Sequence, residues 1–355
     1  MAFPSVPKAS KGQINKAGEI LSSSDKSDAI AVLSAWELAA AWRACHAYPI
    51  NTFQATLRTK LRGNFVDPIV AQRLKRMPTI IGKLVRYPSM KLTTMQDIGG
   101  LRAVLKSVAE AEKLADIYEN KSRFLHELID RKNYIDEPRS EDGYRSIHLI
   151  YKYKNEHYSA YDGLRLELQI RSRIQHKWAT AVETMGTFLG QALKSRQGDQ
   201  EWLDFFALTS SAFAHIEKRP PVPRFARLTE KETREAIANS EEKLQALEKM
   251  RGFSVAANQI IKGGPGKGRF YHLIVLDSIQ KTVQVFAYDR DSFKQALDSY
   301  SKYEEEAAKG KKIEPVLVSA GPLDNLRRAY PNFFLDVNEF ERDVTAIVSA
   351  AKKQT

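Results

Sequence analysis

The run Leu166-Glu167-Leu168-Gln169-Ile170-Arg171 alternates apolar and polar residues without a break. A β-strand points successive side chains to opposite faces, so this run has one apolar and one polar side. Glu167, Gln169 and Arg171 share the polar side. A strand that turns an acid, an amide and a base one way is either solvated or lines a site. Further strands are expected at Ile98–Leu105 and Ser146–Tyr153, and helices at Asp25–Tyr48, Phe53–Leu61, Ala109–Phe124 and Arg173–Lys194. Pro68–Lys83 reads as partly helical, broken around Pro78. Strands and helices mix without a strict βαβ repeat, which predicts an α+β fold.

The stretch Arg219-Pro220-Pro221-Val222-Pro223 is the strongest linker signal in the chain. Thr229-Glu230-Lys231-Glu232 after it fits a capping box opening a charged helix to Met250. Strand-like runs follow at Phe253–Lys262, Phe270–Asp277 and Thr282–Tyr288, then a helix at Asp291–Lys309, a strand at Glu314–Ser319 and a closing helix at Asp336–Ala351. The expected division is a flexible tail over 1–24, a main domain over 25–218, a linker and tether helix over 219–250, and a C-terminal α+β domain over 251–355. Gly263 to Gly268 is not a phosphate loop, because Gly268 and a strand follow Lys267 where Ser or Thr and a helix are needed; a hairpin turn is expected.

Cys45 is the lone cysteine of 355 residues, so no intrachain disulfide can form. Residues 1–24 lack the pattern of a signal peptide, and no run reaches the roughly 18 apolar residues of a membrane span. A cytoplasmic protein without membrane contact is expected. Of the net charge of +12, residues 55–106 hold +9, with 11 basic and 2 acidic side chains. That concentration predicts a local site for polyanions.

Asp97, upstream of Gly99-Gly100, stands at the start of the strand Ile98–Leu105. It reads as a turn residue unless that strand neighbours the one carrying Glu167, when the two carboxylates could hold Mg²⁺. Arg73, Lys75, Lys83 and Arg86 precede Asp97 and could clamp a triphosphate. Tyr144, after Gly143, is either a loop aromatic anchored in the core or a ring presented for base stacking.

The blocks PTIIGK, MQDIGGLR, NYIDEP, DGYRSIH and LELQIRSRIQHKWATAVE together resemble the synthetase domain of the RelA/SpoT alarmone synthetases, over roughly residues 55–190. The resemblance implies a mixed sheet flanked by helices. It also implies transfer of the ATP β,γ-pyrophosphate to a ribose 3′ hydroxyl with release of AMP. Asp97 matches the family's metal-binding Asp, and Glu167 the Glu that holds metal or activates the hydroxyl. Arg73, Lys75 and Lys83 match ATP-contacting positions, and Tyr144 matches the tyrosine that stacks on the acceptor base. His148 and Arg171 fall in matching motifs on the acceptor side. Ser140-Glu141-Asp142 replaces the Lys-Pro expected of guanosine-nucleotide synthetases, and such an acidic loop should repel GDP or GTP. No His is followed by Asp, so no hydrolase is expected.

The chain further resembles toxic small alarmone synthetases, which implies tRNA 3′ ends as acceptor. Its likeness to CapRel-like fused toxin–antitoxin proteins implies a C-terminal region that is zinc-finger-like without metal and holds the enzyme in check. A phage protein would relieve that check in anti-phage defence. Tyr300 and Tyr303 resemble the neutralising tyrosine pair; three apart on a helix, they otherwise read as aromatics packing on strands. Three readings follow: a tRNA pyrophosphotransferase, a (p)ppGpp synthetase, and an inactive RNA-binding or phage-sensing module.

Overall fold

The computed structural model describes residues 3–119, 124–189, 193, 198–250, 271–277, 279–280, 282–289, 291–311, 313–319, 328, 331 and 337–353. Three helices open the chain: α1 (Lys11–Ser22), α2 (Ala29–Ala44) and α3 (Ala47–Leu61). The expected tail is therefore a helix from Lys11. Ser10 and Gln13 close a capping box on it, and Ile14, Ala17 and Leu21 at helical spacing bury its inner face. The expected helix to Tyr48 divides at Cys45–His46, and Pro49 falls in the first turn of α3, where its missing N–H costs nothing.

The chain continues as β1 (Ile69–Leu74), α4 (Met77–Arg86), β2 (Gly99–Leu105), α5 (Val108–Glu119), β3 (Glu127–Asn133), β4 (Ile147–Lys152), β5 (Arg165–Ser172) and α6 (Arg173–Leu189). The helix expected from Pro68 is a strand up to Leu74. Pro78 starts α4 instead of breaking it, because proline suits the first helical turn. The strand β3 went unrecognised in a polar, non-alternating run.

The sheet order is β1-β2-β5-β4-β3, parallel between β2 and β5 and antiparallel elsewhere. It is a mixed sheet within an α+β fold. One face is apolar: Leu101, Ala103, Leu149, Tyr151, Leu166 and Leu168 pack with Phe53 and Leu57 of α3 and Leu114 and Tyr118 of α5. A Cβ on Gly99 would come within 2.8 Å of Leu166 and Ile50, so glycine there lets α3 approach the sheet. The opposite face carries Arg73, Arg102, Glu167, Gln169 and His148, placed together by the strand registers.

Next come α7 (Gln200–Glu217) and α8 (Glu230–Leu244), with the expected capping box at Thr229 and Glu232. The Pro-rich stretch between them is tied down: Arg219 pairs with Glu112 at 2.8 Å and Asp136 at 3.1 Å, and the Pro220 carbonyl accepts from Arg145 at 2.7 Å.

A second sheet, β6 (Tyr271–Asp277), β7 (Thr282–Tyr288) and β8 (Ile313–Ser319), is antiparallel in the order β7-β6-β8. Helix α9 (Phe293–Ala308) packs on it, and β8 lies against β1. The final helix, α10 (Asn338–Lys352), leaves this sheet and packs on α6 and α8, with Phe340 and Val344 among Phe206, Phe213 and Ile237. The expected C-terminal domain thus splits between two cores. The expected strand Phe253–Lys262 and hairpin Gly263–Gly268 lie outside the described residues. No described helix is long and apolar enough to cross a membrane.

Candidate active site

The polar face of the first sheet holds two carboxylates in different company. Asp97 ends the loop into β2. Its Oδ2 accepts from Lys75 Nζ at 2.8 Å and its Oδ1 from Lys83 Nζ at 3.0 Å. Lys75 extends β1, its N–H donating to the Ile98 carbonyl, and Lys83 comes from the last turn of α4. Burial pushes the Asp97 carboxyl up, but the two ammonium groups outweigh it and hold it well below the usual carboxylate range.

Glu167 stands on β5 opposite Gly100, three residues after Asp97. Its Oε1 faces His148 Nδ1 at 2.9 Å and its Oε2 accepts from Gln169 Nε2 at 2.7 Å. His148 Nε2 meets the Tyr144 hydroxyl at 2.7 Å. Arg171 Nη2 donates to that hydroxyl at 2.6 Å and to Gln169 Oε1 at 3.2 Å. Burial and the charge of Asp97 raise the Glu167 carboxyl, yet His148 and Gln169 bring it to about 2. Burial lowers the His148 imidazole, while Tyr144 and Glu167 raise it to about 9. Burial raises the Tyr144 phenol, while Arg171 and His148 pull it down to about 7.

Buried arginines flank the carboxylates. Arg102, opposite Gln169 on β2, is lowered to about 10 by burial and by Arg171. Its Nε, and Nε and Nη1 of Arg171, have no hydrogen-bond partner among the described residues. Buried donors of this kind suit an anion. His176 on α6 is lowered to about 3 by burial, Arg102 and Arg171. Arg73 lies opposite Gly100, with its charge felt by Lys75 and Arg102. Arg86 stands apart, exposed, its guanidinium 5.9 Å from the Tyr87 ring centre.

Two expectations change. Tyr144 is 5% exposed, with Arg139 4.3 Å from its ring centre and Tyr134 edge-on at 5.7 Å. A base could stack on it only by displacing a neighbour. Asp142 is buried, paired with Arg139 at 2.7 Å and accepting the Tyr144 N–H at 3.0 Å, so its charge is neutralised inside the loop and does not project outward. Gly143 has φ +77°, and a Cβ there would meet Ser210 and Ala207 at 2.8–3.0 Å. The loop therefore sits directly on α7.

Tyr300 and Tyr303 part ways. Tyr300 is 1% exposed and donates to Glu304 Oε1 at 2.9 Å, beneath Arg43. Tyr303 packs on Phe286. Glu304 pairs with Arg43 and accepts the Met77 N–H at 2.9 Å, which caps the start of α4. Sequence reading placed Gln169 on the polar face without giving it a role, and missed Arg102, Arg139, His176 and the Arg43–Glu304 pair. Arg139 acts within its own loop, on Asp142 and Tyr144, whereas His176 and the Arg43–Glu304 pair depend on long-range contacts.

Residues 72–186 match the family described as "Region found in RelA / SpoT proteins". The chain is 33% identical over 118 residues to GTP pyrophosphokinase YjbM of Bacillus subtilis, covering 33% of this chain and 54% of that protein. It is 27% identical over 131 residues to uncharacterized protein Rv1366 of Mycobacterium tuberculosis, covering 36% and 42%. The matches thus span about half the length of these relatives. Solved structures with similarity include small alarmone synthetase 1 from Bacillus subtilis bound to its product pppGpp (24% identity, 50% of this chain and 93% of that one, TM-score 0.42). Small alarmone synthetase 2 of that organism gives 18% identity, 52% and 94% coverage and a TM-score of 0.42. Over residues 72–186, about a third of its length, the chain is thus similar to RelA/SpoT proteins.

Proposed function

We propose that this protein is a pyrophosphokinase that moves the β,γ-pyrophosphate of ATP onto a ribose 3′ hydroxyl and releases AMP. The observation that carries the reading is the shared polar face, where Asp97, gripped by Lys75 and Lys83, stands beside Glu167 and the buried Arg102 and Arg171. Mg²⁺ fits this donor set. Carboxylate oxygens are its preferred protein ligands, and the repulsion that Asp97 exerts on Glu167 is relieved by a divalent cation. Asp97 and Glu167 would hold it, and when bound it supplies charge neutralisation on the phosphates. Lys75, Lys83 and Arg73 bind and orient the triphosphate. Arg102 offers a further cation to the transferring group. A Glu167 oxygen accepts the proton of the attacking hydroxyl as oxygen bonds to the β-phosphorus and AMP leaves.

Two acceptors are supported. GDP or GTP gains support from the relative called a GTP pyrophosphokinase and from the neutralised Asp142. A tRNA 3′ end gains support from the +9 of residues 55–106, since phosphate contacts dominate nucleic-acid affinity. We further propose that the C-terminal region restrains the enzyme through Tyr300 and Glu304, which bury against Arg43 and cap α4, the helix bearing Lys83. Release of that contact by a phage protein would make the chain a defence toxin.

The test incubates pure full-length protein with Mg²⁺, ATP labelled at the β-phosphate, and either deacylated tRNA or GDP. It is run on wild type and on Glu304→Gln. AMP release with label on one acceptor is expected, and more of it from Glu304→Gln. RNA binding without AMP release from either protein would support the inactive-module reading instead.

A further inference from the structure

The loop from α4 to β2 runs from Lys83 to Asp97, at the end of the sheet where β2 and β5 begin. Its outward side chains are basic or aromatic. Arg86, Tyr87 and Lys91 are exposed, Tyr87 by 43%. The Arg86 guanidinium lies 5.9 Å from the Tyr87 ring centre. Between Lys83 and Arg102 the sequence holds one acid, Asp97, which is already bonded to Lys75 and Lys83. Arg165 joins the same end from β5. It stands two residues before Glu167 and therefore shares the polar face, about 7 Å along the strand. Its Nη1 donates to the Thr94 carbonyl at 2.7 Å. Its register partner Lys152 is taken by Glu127 at 3.2 Å, whereas Lys91 and Arg165 are in no ion pair among the described residues.

The loop is preformed. The Met90 N–H donates to the Tyr87 carbonyl at 2.9 Å and the Thr94 N–H to the Lys91 carbonyl at 3.0 Å, which makes two consecutive turns. Asn15 of α1 accepts from the Thr93 N–H at 3.0 Å and from its hydroxyl at 2.9 Å. Leu92 and Met95 anchor the loop in the core. The backbone thus holds a ring and two cations at fixed places beside the reacting carboxylates. A surface with one sign of charge attracts polyanions, and an exposed ring among cations suits a stacked base.

We propose that Tyr87, Lys91 and Arg165 form a rim that docks the single-stranded 3′ end of an RNA acceptor, the cations on backbone phosphates and the ring on a base. This inference rests on the pyrophosphotransfer reading above and names its acceptor class. A strand whose terminal hydroxyl stands at Glu167 lays its preceding phosphates along the protein, and Arg165 is the first cation beyond Glu167 on β5. A mononucleotide offers one base and one phosphate group, whereas the rim supplies a ring and two cations outside the reacting centre.

The test uses full-length Lys91→Met, Tyr87→Leu and the double variant, each in the wild-type and the Glu304→Gln background. Binding of deacylated tRNA is measured over a series of salt concentrations, and transfer is measured to tRNA and to GDP. Each single change should lower tRNA affinity and kcat/KM for tRNA about 5-fold, with kcat/KM for GDP within about 2-fold. Lys91→Met should also reduce the slope of log affinity against log salt by about 1, and Tyr87→Leu should leave that slope unchanged. A loss of local structure would not separate the two variants in this way. Equal losses with tRNA and GDP, or a double variant with wild-type tRNA affinity, overturn the inference and leave the enzyme reading intact. So does a parent that transfers to GDP and does not bind tRNA. A parent that transfers to neither acceptor removes the enzyme reading. In that case tRNA binding weakened by both variants keeps the rim, and tRNA binding indifferent to them removes it as well.

Discussion

The two carboxylates of the site are held in opposite ways. Asp97 is gripped by two lysines, compact charges on flexible stems that can exchange one anion for another. Glu167 is gripped by an imidazole and an amide, themselves fixed by a phenol and a guanidinium in a closed ring. On the proposed function the first arrangement would open, because an incoming triphosphate would compete for the same ammonium groups. The second is fixed in direction, since both Glu167 oxygens are held from neighbouring positions of the same sheet. The proposed reaction, which has to admit a charged substrate and aim a base, would use one end of each kind.

The largest test of this contrast is Asp97→Asn. Removing the charge that organises Lys75 and Lys83 should lower transfer by about 10³-fold, while the His148 imidazole beside Glu167 keeps its ¹⁵N resonances. A shift of those resonances would mean that the two ends are one unit. The next is Glu304→Gln, which leaves the buried Arg43 without its counter-charge. It should lower stability in urea unfolding by about 3 kcal/mol while raising transfer. Lower stability with lower transfer would show that the α4 cap supports the Asp97 end instead of restraining it.

A smaller effect separates the ends by pH. His176 lies on the arginine side and is held at about 3 by burial and by Arg102 and Arg171. A histidine depressed on folding contributes stability above its ordinary value near 6.5, and that stability is lost as pH falls toward the folded value. Wild type should therefore lose about 2 kcal/mol more than His176→Asn between pH 7 and pH 5. Equal losses would place the sensitivity elsewhere. Smallest is Lys83→Met, expected to raise the KM for ATP about 10-fold with Lys75 still in place and acceptor KM unmoved. A rise in acceptor KM would contradict the division of labour.

Much of the site was legible because β-strands write their faces into sequence. Alternation alone put Glu167, Gln169 and Arg171 on one side, and a charge count located Lys75 and Lys83. Asp97 was ambiguous until the parallel pairing of β2 with β5 set Gly100 opposite Glu167. Tyr144 shows the limit. The motif suggested an open ring, but whether a loop aromatic is open depends on Arg139, Tyr134 and α7, none of which periodicity ties to it. The helix Lys11–Ser22 was passed over because its polar residues dominate composition, although Ser10 and Gln13 marked its start.

The sequence by itself determined the strand faces, the basic segment and the residue types of the site, since these depend on neighbours within a few positions. Tertiary structure alone decided that Asp142 is neutralised, that five side chains close a ring on Glu167, and that Glu304 reaches Arg43 and the start of α4 across more than 200 residues. The physical reason is burial. Which charges are paired, and which donors lack a partner, is fixed by desolvation, and desolvation depends on elements that sequence order keeps far apart.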